Sequence, residues 1–348
     1  MAAAARGYDA GGLSTPASEV RFTVGRSIFL SATIVTAVFL LAEGALRALG
    51  VGRPVRPRLL LRAMDVDIEF PFMQPDPTLF WAPRPGWSGE FLGHDVHINR
   101  LGLRGPEPAP GRGRGRRLVT FGDSITFGYG VGDADTYAHQ AGRLLAARGV
   151  EAVNAGVTGY TSHQVLGLLR RLAPDLGMDV ATFCIGWNDG TQRVVDDREF
   201  ARRLGLAMAV EGWADRLYLY RLMKRAYLRT ALVEPTPQTR KPRVSLEQYR
   251  ENLEAIVREC RARGIRPVFV ALPRRRQGEP RFHTPYMDAL KELGARLDVP
   301  VLGAGVLGVE TGPEDNAEHF IDSLHFSPSG HRIMAEELAR QLAGLGAL

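Results

Sequence analysis

Short apolar runs alternate with longer segments of helical pattern from residue 118 to the end of the chain, and this alternation constrains the fold more than any other feature. Strands that are buried on both faces are short and apolar, whereas helices repeat apolar residues every three or four positions. The pattern therefore predicts a parallel sheet with helices on both faces. The strand candidates are 118–121, 152–154, 180–185, 267–272 and 301–302, and the helix candidates are 137–148, 162–172, 245–263, 285–297 and 329–343.

Residues 118–128 (LVTFGDSITFG) place a serine at the turn between the first strand and a helix. Gly122 interrupts the strand, and Asp123 and Ser124 stand where the helix begins. A serine hydroxyl at such a turn lies near free backbone N–H groups, which stabilise an oxyanion. The alternative is that Asp123 or Ser124 only caps the helix. This segment alone does not decide between the two interpretations.

A second polar motif, residues 322–331 (DSLHFSPSGH), lies about two hundred residues downstream. Asp322 precedes His325 by three residues on a loop that contains proline and glycine, so its carboxylate is able to orient the imidazole. Two further motifs, 154–159 (NAGVTG) and 186–189 (GWND), each follow a short apolar run. Ligands of open α/β sheets bind beyond the carboxyl ends of the strands, which is where these motifs fall.

These four motifs, in this order, resemble those of the SGNH (GDSL-type) hydrolase family. The resemblance covers residues 117–348, about two thirds of the chain. Together with the strand and helix pattern it predicts a three-layer α/β/α, flavodoxin-like fold with a central parallel five-stranded sheet. It also implies a serine esterase that needs no cofactor. The extensions predicted before this domain are an N-terminal transmembrane helix and a small β-rich segment.

The resemblance assigns a chemical role to each motif. Ser124 would attack an ester carbonyl, His325 would take and return the proton, and Asp322 would hold the imidazole. The oxyanion hole would consist of the backbone N–H groups of Ser124 and Gly159 and the side-chain amide of Asn188.

Other polar residues of the motifs are expected to be structural. The family's donor glycine lies five residues after the asparagine of its motif, which selects Gly159, and Gly156 is expected to support a tight turn. Asp123 and Asp189 are expected to hydrogen-bond loop backbone. We expect no metal site, because two scattered carboxylates without a ligand cluster do not form one.

Composition bears on other classes of function. The net charge of +6 is carried by arginines scattered along the chain, which disfavours a dedicated nucleic-acid surface. Residues 111–117 (GRGRGRR) resemble an RGG segment but are expected to form a solvated linker. Two cysteines, Cys184 and Cys260, provide neither a disulfide framework nor a CxxC metal site, and we expect buried free thiols.

An uncharged apolar run at 27–42 (SIFLSATIVTAVFLLA) predicts membrane insertion. A cleaved signal peptide and a buried core helix are the alternatives. We favour a signal anchor with the remainder outside the cytoplasm, although basic residues are more numerous after the run than before it. The predicted organisation is a disordered N-terminus (1–21), a transmembrane signal anchor (22–47), a linker (48–62), a small β-rich extension (63–116) and the hydrolase domain (117–348).

Two segments of the hydrolase domain are candidates for substrate selection. Residues 193–244 form a long insertion that is either a covering helix or a cap over the cleft. Arg274, Arg275 and Arg276 follow a predicted strand end, where a basic loop either receives an anionic head group or is simply solvated.

The predicted function is hydrolysis of O-acyl, chiefly acetyl, esters of a carbohydrate or a lipid-like substrate. An O-acyltransferase acting on a glycan would use the same site, and a glycan-binding protein without catalysis is a further alternative. The expected partners are the ester substrate and the membrane, with no nucleic acid.

Overall fold

The computed structural model describes residues 17–51, 70–110, 115–202, 204, 214, 216–230, 240–271, 284–303 and 317–347. The strands are β1 (Met73–Asp76), β2 (Phe80–Pro83), β3 (Ser88–Phe91), β4 (His94–His97), β5 (Arg116–Gly122), β6 (Val150–Gly156), β7 (Val180–Cys184), β8 (Gln192–Arg193), β9 (Lys241–Pro242), β10 (Arg266–Val270) and β11 (Val301–Leu302). The α-helices are α1 (Ala17–Ala48), α2 (Ser124–Phe127), α3 (Tyr137–Leu145), α4 (Ser162–Leu172), α5 (Tyr218–Thr230), α6 (Leu246–Arg261), α7 (Thr284–Arg296) and α8 (Pro328–Gly344).

The chain divides into two compact units. The larger comprises residues 56–211 and 231–348, and the smaller comprises residues 1–55 and 212–230.

A parallel five-stranded sheet organises the larger unit, in the order β11-β10-β7-β5-β6. The first of these strands in the chain, β5, lies between the second and the third, which is the flavodoxin-like order. All residues of β7 and all but the first of β5 are buried, as expected when helices cover both faces. The predicted fold class is confirmed. The reversal of strand order beside β5 opens a crevice at the carboxyl ends of β5 and β7.

Helices α3 and α8 pack together on one face of the sheet, and α4, α6 and α7 pack in a row on the other. Capping residues mark the N-termini of two of these helices. Ser245 and Gln248 form a capping box at the start of α6, and Ser327 accepts the N–H of Gly330 at the start of α8, with Pro328 in its first turn.

Two hairpins precede the sheet within residues 70–110, which we call the N-terminal extension. Strand β1 pairs with β2 and strand β3 with β4, both antiparallel. The extension packs onto the α/β core, where Phe72 stacks on Phe127 of α2 with 5.0 Å between ring centroids. A backbone bridge joins Arg104 to Asn154 of β6. The extension therefore packs against the core near the turn that follows β5.

The predicted insertion, residues 193–244, leaves and rejoins the larger unit at neighbouring points. Strand β8 pairs with β9, with Gln192 opposite Pro242 and Arg193 opposite Lys241. Both ends of the insertion are thereby held together.

The smaller unit contains α1 and α5. Residues Gly25–Ala48 of α1 form a 24-residue stretch with a mean hydropathy of 2.0, long and apolar enough to cross a membrane. Apolar side chains along it are exposed, with Phe29 and Leu41 each 75% accessible. The predicted anchor, residues 22–47, lies within this helix.

Near its C-terminal end, α1 is bound to the start of α5. The Glu43 carboxylate accepts the backbone N–H groups of Tyr218 and Leu219, each at 2.9 Å. Arg47 pairs with Glu43 at 2.8 Å, donates to the carbonyl of Arg216 at 3.0 Å and lies over the Tyr218 ring. A carboxylate at a helix N-terminus satisfies N–H groups that have no partner within the helix.

Candidate active site

Ser124 is the first residue of α2, directly beyond the carboxyl end of β5. The preceding residue, Asp123, caps the helix by accepting the N–H of Ile125 at 3.0 Å. The turn is tight: a Cβ atom on Gly122 would lie 2.0 Å from the Thr126 hydroxyl, and one on Gly156 would lie 2.2 Å from the Phe127 nitrogen. A side chain at position 156 would therefore collide with α2. Gly156 is needed because α2 lies so close to β6, whereas the sequence predicted that it supports a tight turn.

The loop before α8 brings His325 to Ser124. The Nε2 atom of His325 lies 2.8 Å from the Ser124 hydroxyl oxygen, and its Nδ1 atom lies 2.7 Å from a carboxylate oxygen of Asp322. Ser124 is 6% exposed, and the imidazole is largely covered. Ser124, near the start of the hydrolase domain, is therefore joined by continuous hydrogen bonds to His325 and Asp322, near its end.

The Asp322 carboxylate is fixed by its own loop. Its second oxygen accepts the backbone N–H groups of Leu324 and His325, each at 2.7 Å. Burial favours the neutral acid, but the hydrogen bonds from His325 and Leu324 outweigh it and lower the pKa of Asp322 below its usual value. Asp322 therefore carries a negative charge beside the imidazole at neutral pH.

An aromatic cluster covers the other side of the imidazole. The ring of Tyr129 lies 4.4 Å from that of His325, centroid to centroid. Phe91 and Phe70, from the N-terminal extension, meet Tyr129 edge-on at 5.7 and 6.3 Å. The extension therefore forms part of the wall of the site.

Asn188 lies in a short helical turn after β7, and its side-chain amide links the two other loops. It donates to the Asp123 carboxylate at 3.2 Å and to the carbonyl of Tyr160 at 3.1 Å. These partners are the chain neighbours of Ser124 and Gly159. The Asn188 amide therefore joins its own loop to the loops that carry the other two candidate oxyanion donors, Ser124 and Gly159.

Gly159 adopts a left-handed conformation with φ of 79°, which favours glycine. Its carbonyl accepts a hydrogen bond from Arg243 at 2.7 Å. Arg243 is itself buried and makes a bidentate pair with Asp197 at 3.0 Å for each bond. Within the part of the chain that the structure describes, neither the Ser124 N–H nor the Gly159 N–H donates to a protein acceptor. Both are free to meet a ligand.

Two buried carboxyl groups flank the site. Burial raises the pKa of Asp123 to about 7, against the opposing hydrogen bond from Ile125. Burial likewise raises the pKa of Asp189 to about 7, although Ser162 donates its N–H and its hydroxyl to that carboxylate. Among the described residues, neither carboxyl group forms a hydrogen bond with the side chain of Ser124 or His325.

Not every predicted residue can be placed. Arg274, Arg275 and Arg276 lie outside the described residues. Conversely, Arg243 and Tyr129 contact the site but were not predicted, because neither belongs to a polar motif that follows a strand. Arg243 stands at the end of the insertion. The sequence there shows only that the chain returns to an apolar residue, Val244.

The sequence model of the family described as GDSL-like lipase/acylhydrolase matches residues 120–333. Among solved structures, a lipase/acylhydrolase from Enterococcus faecalis is 21% identical with a TM-score of 0.44, covering 66% of this chain and 96% of its own. An acetylxylan esterase from Geobacillus stearothermophilus is 18% identical with a TM-score of 0.42, covering 66% of this chain and 94% of its own. No curated protein matched.

Proposed function

Since the chain belongs to the GDSL-like lipase/acylhydrolase family and is a serine hydrolase, we propose that it hydrolyses O-acyl esters through an acyl-enzyme on Ser124. The observation that carries the proposal is the chain of two hydrogen bonds at His325, 2.8 Å to the Ser124 hydroxyl and 2.7 Å to Asp322. A nucleophile within reach of a base that a third group orients is the arrangement that acyl transfer requires.

The first half of the reaction forms the acyl-enzyme. As the Ser124 hydroxyl oxygen attacks the ester carbonyl carbon, His325 Nε2 takes the hydroxyl proton. The carbon–oxygen bond to the alcohol then breaks, and the same proton passes to the departing alkoxide. In the second half, a water molecule gives its proton to His325 and attacks the acyl carbon. The carboxylic acid leaves and Ser124 regains its proton.

Asp322 and the oxyanion donors stabilise the charges that appear during both halves. The Asp322 carboxylate accepts the Nδ1 proton and offsets the positive charge of the imidazolium. The N–H groups of Ser124 and Gly159, with the Asn188 amide, would bind the oxygen that becomes negative in the tetrahedral intermediate. Among the described residues the two backbone donors have no protein acceptor to give up, whereas the Asn188 amide must exchange one of its present bonds for the oxyanion.

The substrate that we propose is an acetylated carbohydrate or a lipid-like ester. Tyr129 and the phenylalanines behind it offer an apolar surface next to the base, which suits a sugar ring or a short acyl chain. Lengthening the acyl chain of a test ester separates these substrate classes.

We further propose that α1 anchors the enzyme in a membrane with the catalytic domain outside the cytoplasm. The length and mean hydropathy of Gly25–Ala48 support the anchor. A reporter enzyme fused after residue 348 tests the orientation: activity confined to the cytoplasm would contradict it.

The test of catalysis uses the full chain in detergent with 4-nitrophenyl acetate and 4-nitrophenyl octanoate. We expect turnover by the native protein and none above background by Ser124→Ala, while Ser88→Ala, an exposed serine of β3, keeps native activity. Equal turnover by the native protein and Ser124→Ala would refute the proposal. Appearance of an acylated product when a glycan acceptor is added would instead indicate acyl transfer.

A further inference from the structure

Trp81 of strand β2 is bound at both ends to the loop that carries Gly159. Its indole N–H donates to the carbonyl oxygen of Thr158 at 3.0 Å, and its own carbonyl accepts the Tyr160 hydroxyl at 2.7 Å. The side chain is 1% exposed. Trp81 lies in the N-terminal extension, before the residues that the family model matches. Two hydrogen bonds thus connect the extension to the residues on either side of Gly159.

The indole contact determines where the Gly159 N–H points. The Thr158 carbonyl and the Gly159 N–H belong to one planar peptide unit, and the described chain contains no cis peptide. In a trans unit the two groups point in opposite directions, so a donor that fixes the carbonyl also fixes the N–H. Because glycine has wide backbone freedom, this unit would otherwise be able to rotate.

The following peptide unit, between Gly159 and Tyr160, is held by Arg243 and by the loop itself. The Gly159 carbonyl accepts from Arg243, whose guanidinium carbon lies 5.4 Å from the centroid of the Trp81 ring. The Tyr160 N–H donates to the Val157 carbonyl at 3.1 Å. Both peptide units that flank the Gly159 Cα atom are therefore fixed by partners outside the loop or by the loop's own turn.

We propose that Trp81 is a positioning residue, which directs the Gly159 N–H toward the carbonyl oxygen of the bound ester. The inference rests on the proposed function. It makes the N-terminal extension part of the catalytic apparatus, because the extension sets the geometry of a donor that stabilises the transition state.

The test compares Trp81→Phe with Trp87→Phe in the detergent-solubilised full chain. Phenylalanine keeps an aromatic ring at position 81 but removes the N–H. Trp87 is a matched control, a second indole of the same extension that packs on Phe72. Active sites are counted by titration with a phosphonate, so that kcat/KM refers to folded enzyme. We expect kcat/KM for 4-nitrophenyl acetate to fall about 10- to 100-fold in Trp81→Phe and less than twofold in the control.

A second readout separates positioning from a general loss of structure. In the thionoester analogue, sulfur replaces the carbonyl oxygen and accepts hydrogen bonds weakly, so the loss of one oxyanion donor costs the thionoester less. We expect the ester-to-thionoester ratio of kcat/KM to fall at least fivefold in Trp81→Phe and to stay unchanged in Trp87→Phe. The ratio does not depend on how much enzyme is folded. Tyr160→Phe, which removes only the bond to the Trp81 carbonyl, should lower the ratio in the same direction and by less.

An unchanged ratio in Trp81→Phe would overturn the inference, whether or not kcat/KM falls. If Trp81→Phe gives too few active sites to assay, the Tyr160→Phe ratio decides in the same way. Full activity of Ser124→Ala would instead refute the proposed function, so the two failures are distinguishable.

Discussion

The side-chain amide of Asn188 lies 3.2 Å from the carboxylate of Asp123 and joins the ends of two neighbouring strands. Its second bond, to the carbonyl of Tyr160, reaches the end of a third strand. One amide therefore holds together the loops that follow β5, β6 and β7. The bonds also fix the amide plane, and one of them must be given up before the group donates to an oxyanion.

If Asn188 is an oxyanion donor as proposed, its replacement by Ala should lower kcat about 10²- to 10³-fold, because one donor is lost and the loops on either side are no longer joined. Steady-state hydrolysis of 4-nitrophenyl acetate measures this change. Gln192→Ala, an exposed amide in the adjacent strand β8, serves as the control. A fall of less than threefold in Asn188→Ala would exclude Asn188 from the oxyanion hole.

Replacement of Asp322 by Asn is expected to lower kcat about 10³- to 10⁴-fold with a small change in KM. The amide is uncharged and cannot offset the imidazolium, and an N–H₂ group turned toward Nδ1 would favour the wrong tautomer. The same assay measures the effect, with Asp95→Asn on the exposed side of β4 as the control. Native turnover by Asp322→Asn would show that another group orients His325.

The buried carboxyl group of Asp189 predicts a dependence of stability on pH. Burial raises its folded pKa to about 7, above the usual value of 3.8. Between these values the unfolded chain has released a proton that the folded chain keeps, so the stabilising contribution is complete below pH 4 and is lost as the pH rises through 7.

Asn cannot titrate, so the Tm of Asp189→Asn relative to that of the native protein should rise by roughly 5–10 °C between pH 4.5 and pH 7.5. Melting followed by tryptophan fluorescence in detergent measures this difference. The non-titrating control Ser88→Ala, at an exposed position of β3, should show a constant difference. A constant difference for Asp189→Asn as well would mean that Asp189 is ionised throughout the range.

Arg104 is expected to be a major contributor to stability, because its guanidinium is buried and fully used. It pairs with Asp133 at 2.8 Å and donates to three carbonyl groups that follow Ser124. The three are those of Phe127, Gly128 and Val131. Arg104→Ala should lower the free energy of unfolding by about 3–5 kcal/mol, since it leaves these groups without their donor.

Thermal melting tests this expectation against Arg100→Ala. Arg100 pairs with Glu107 on the surface, where its side chain is 84% exposed, and its loss should change stability by less than about 1 kcal/mol. Equal melting temperatures for the two variants would contradict the role of Arg104.

The sequence predicts the fold because its signals are local. Apolar runs such as 180–185, flanked by amphipathic segments, specify strand and helix without knowledge of distant contacts. The boundaries differ by a few residues: the strand predicted at 118–121 spans Arg116–Gly122. The meeting of Ser124 with His325 follows from the fold, since both motifs stand at the same edge of a parallel sheet.

The contacts that support the site were not predictable in the same way. Trp81, Arg104 and Arg243 reach the loops of the candidate site from segments outside the four motifs. Each donates at least one hydrogen bond to a backbone carbonyl group, and a carbonyl is present at every position of a sequence. The partner of such a donor is therefore decided only by packing in three dimensions. A buried tryptophan or arginine in an otherwise unremarkable segment leaves no periodic or spacing signal.

The contact between Glu43 and α5 has a practical consequence for the preparation of a soluble enzyme. Removal of the N-terminal helix alone would leave the first N–H groups of α5 without their carboxylate and would expose Tyr218, which Arg47 now covers. A protein cut after the anchor would keep α5 but lose the helix that its N-terminus contacts. The anchor and residues 212–230 are best kept or deleted together, since they belong to one compact unit although residues 56–211 lie between its two segments.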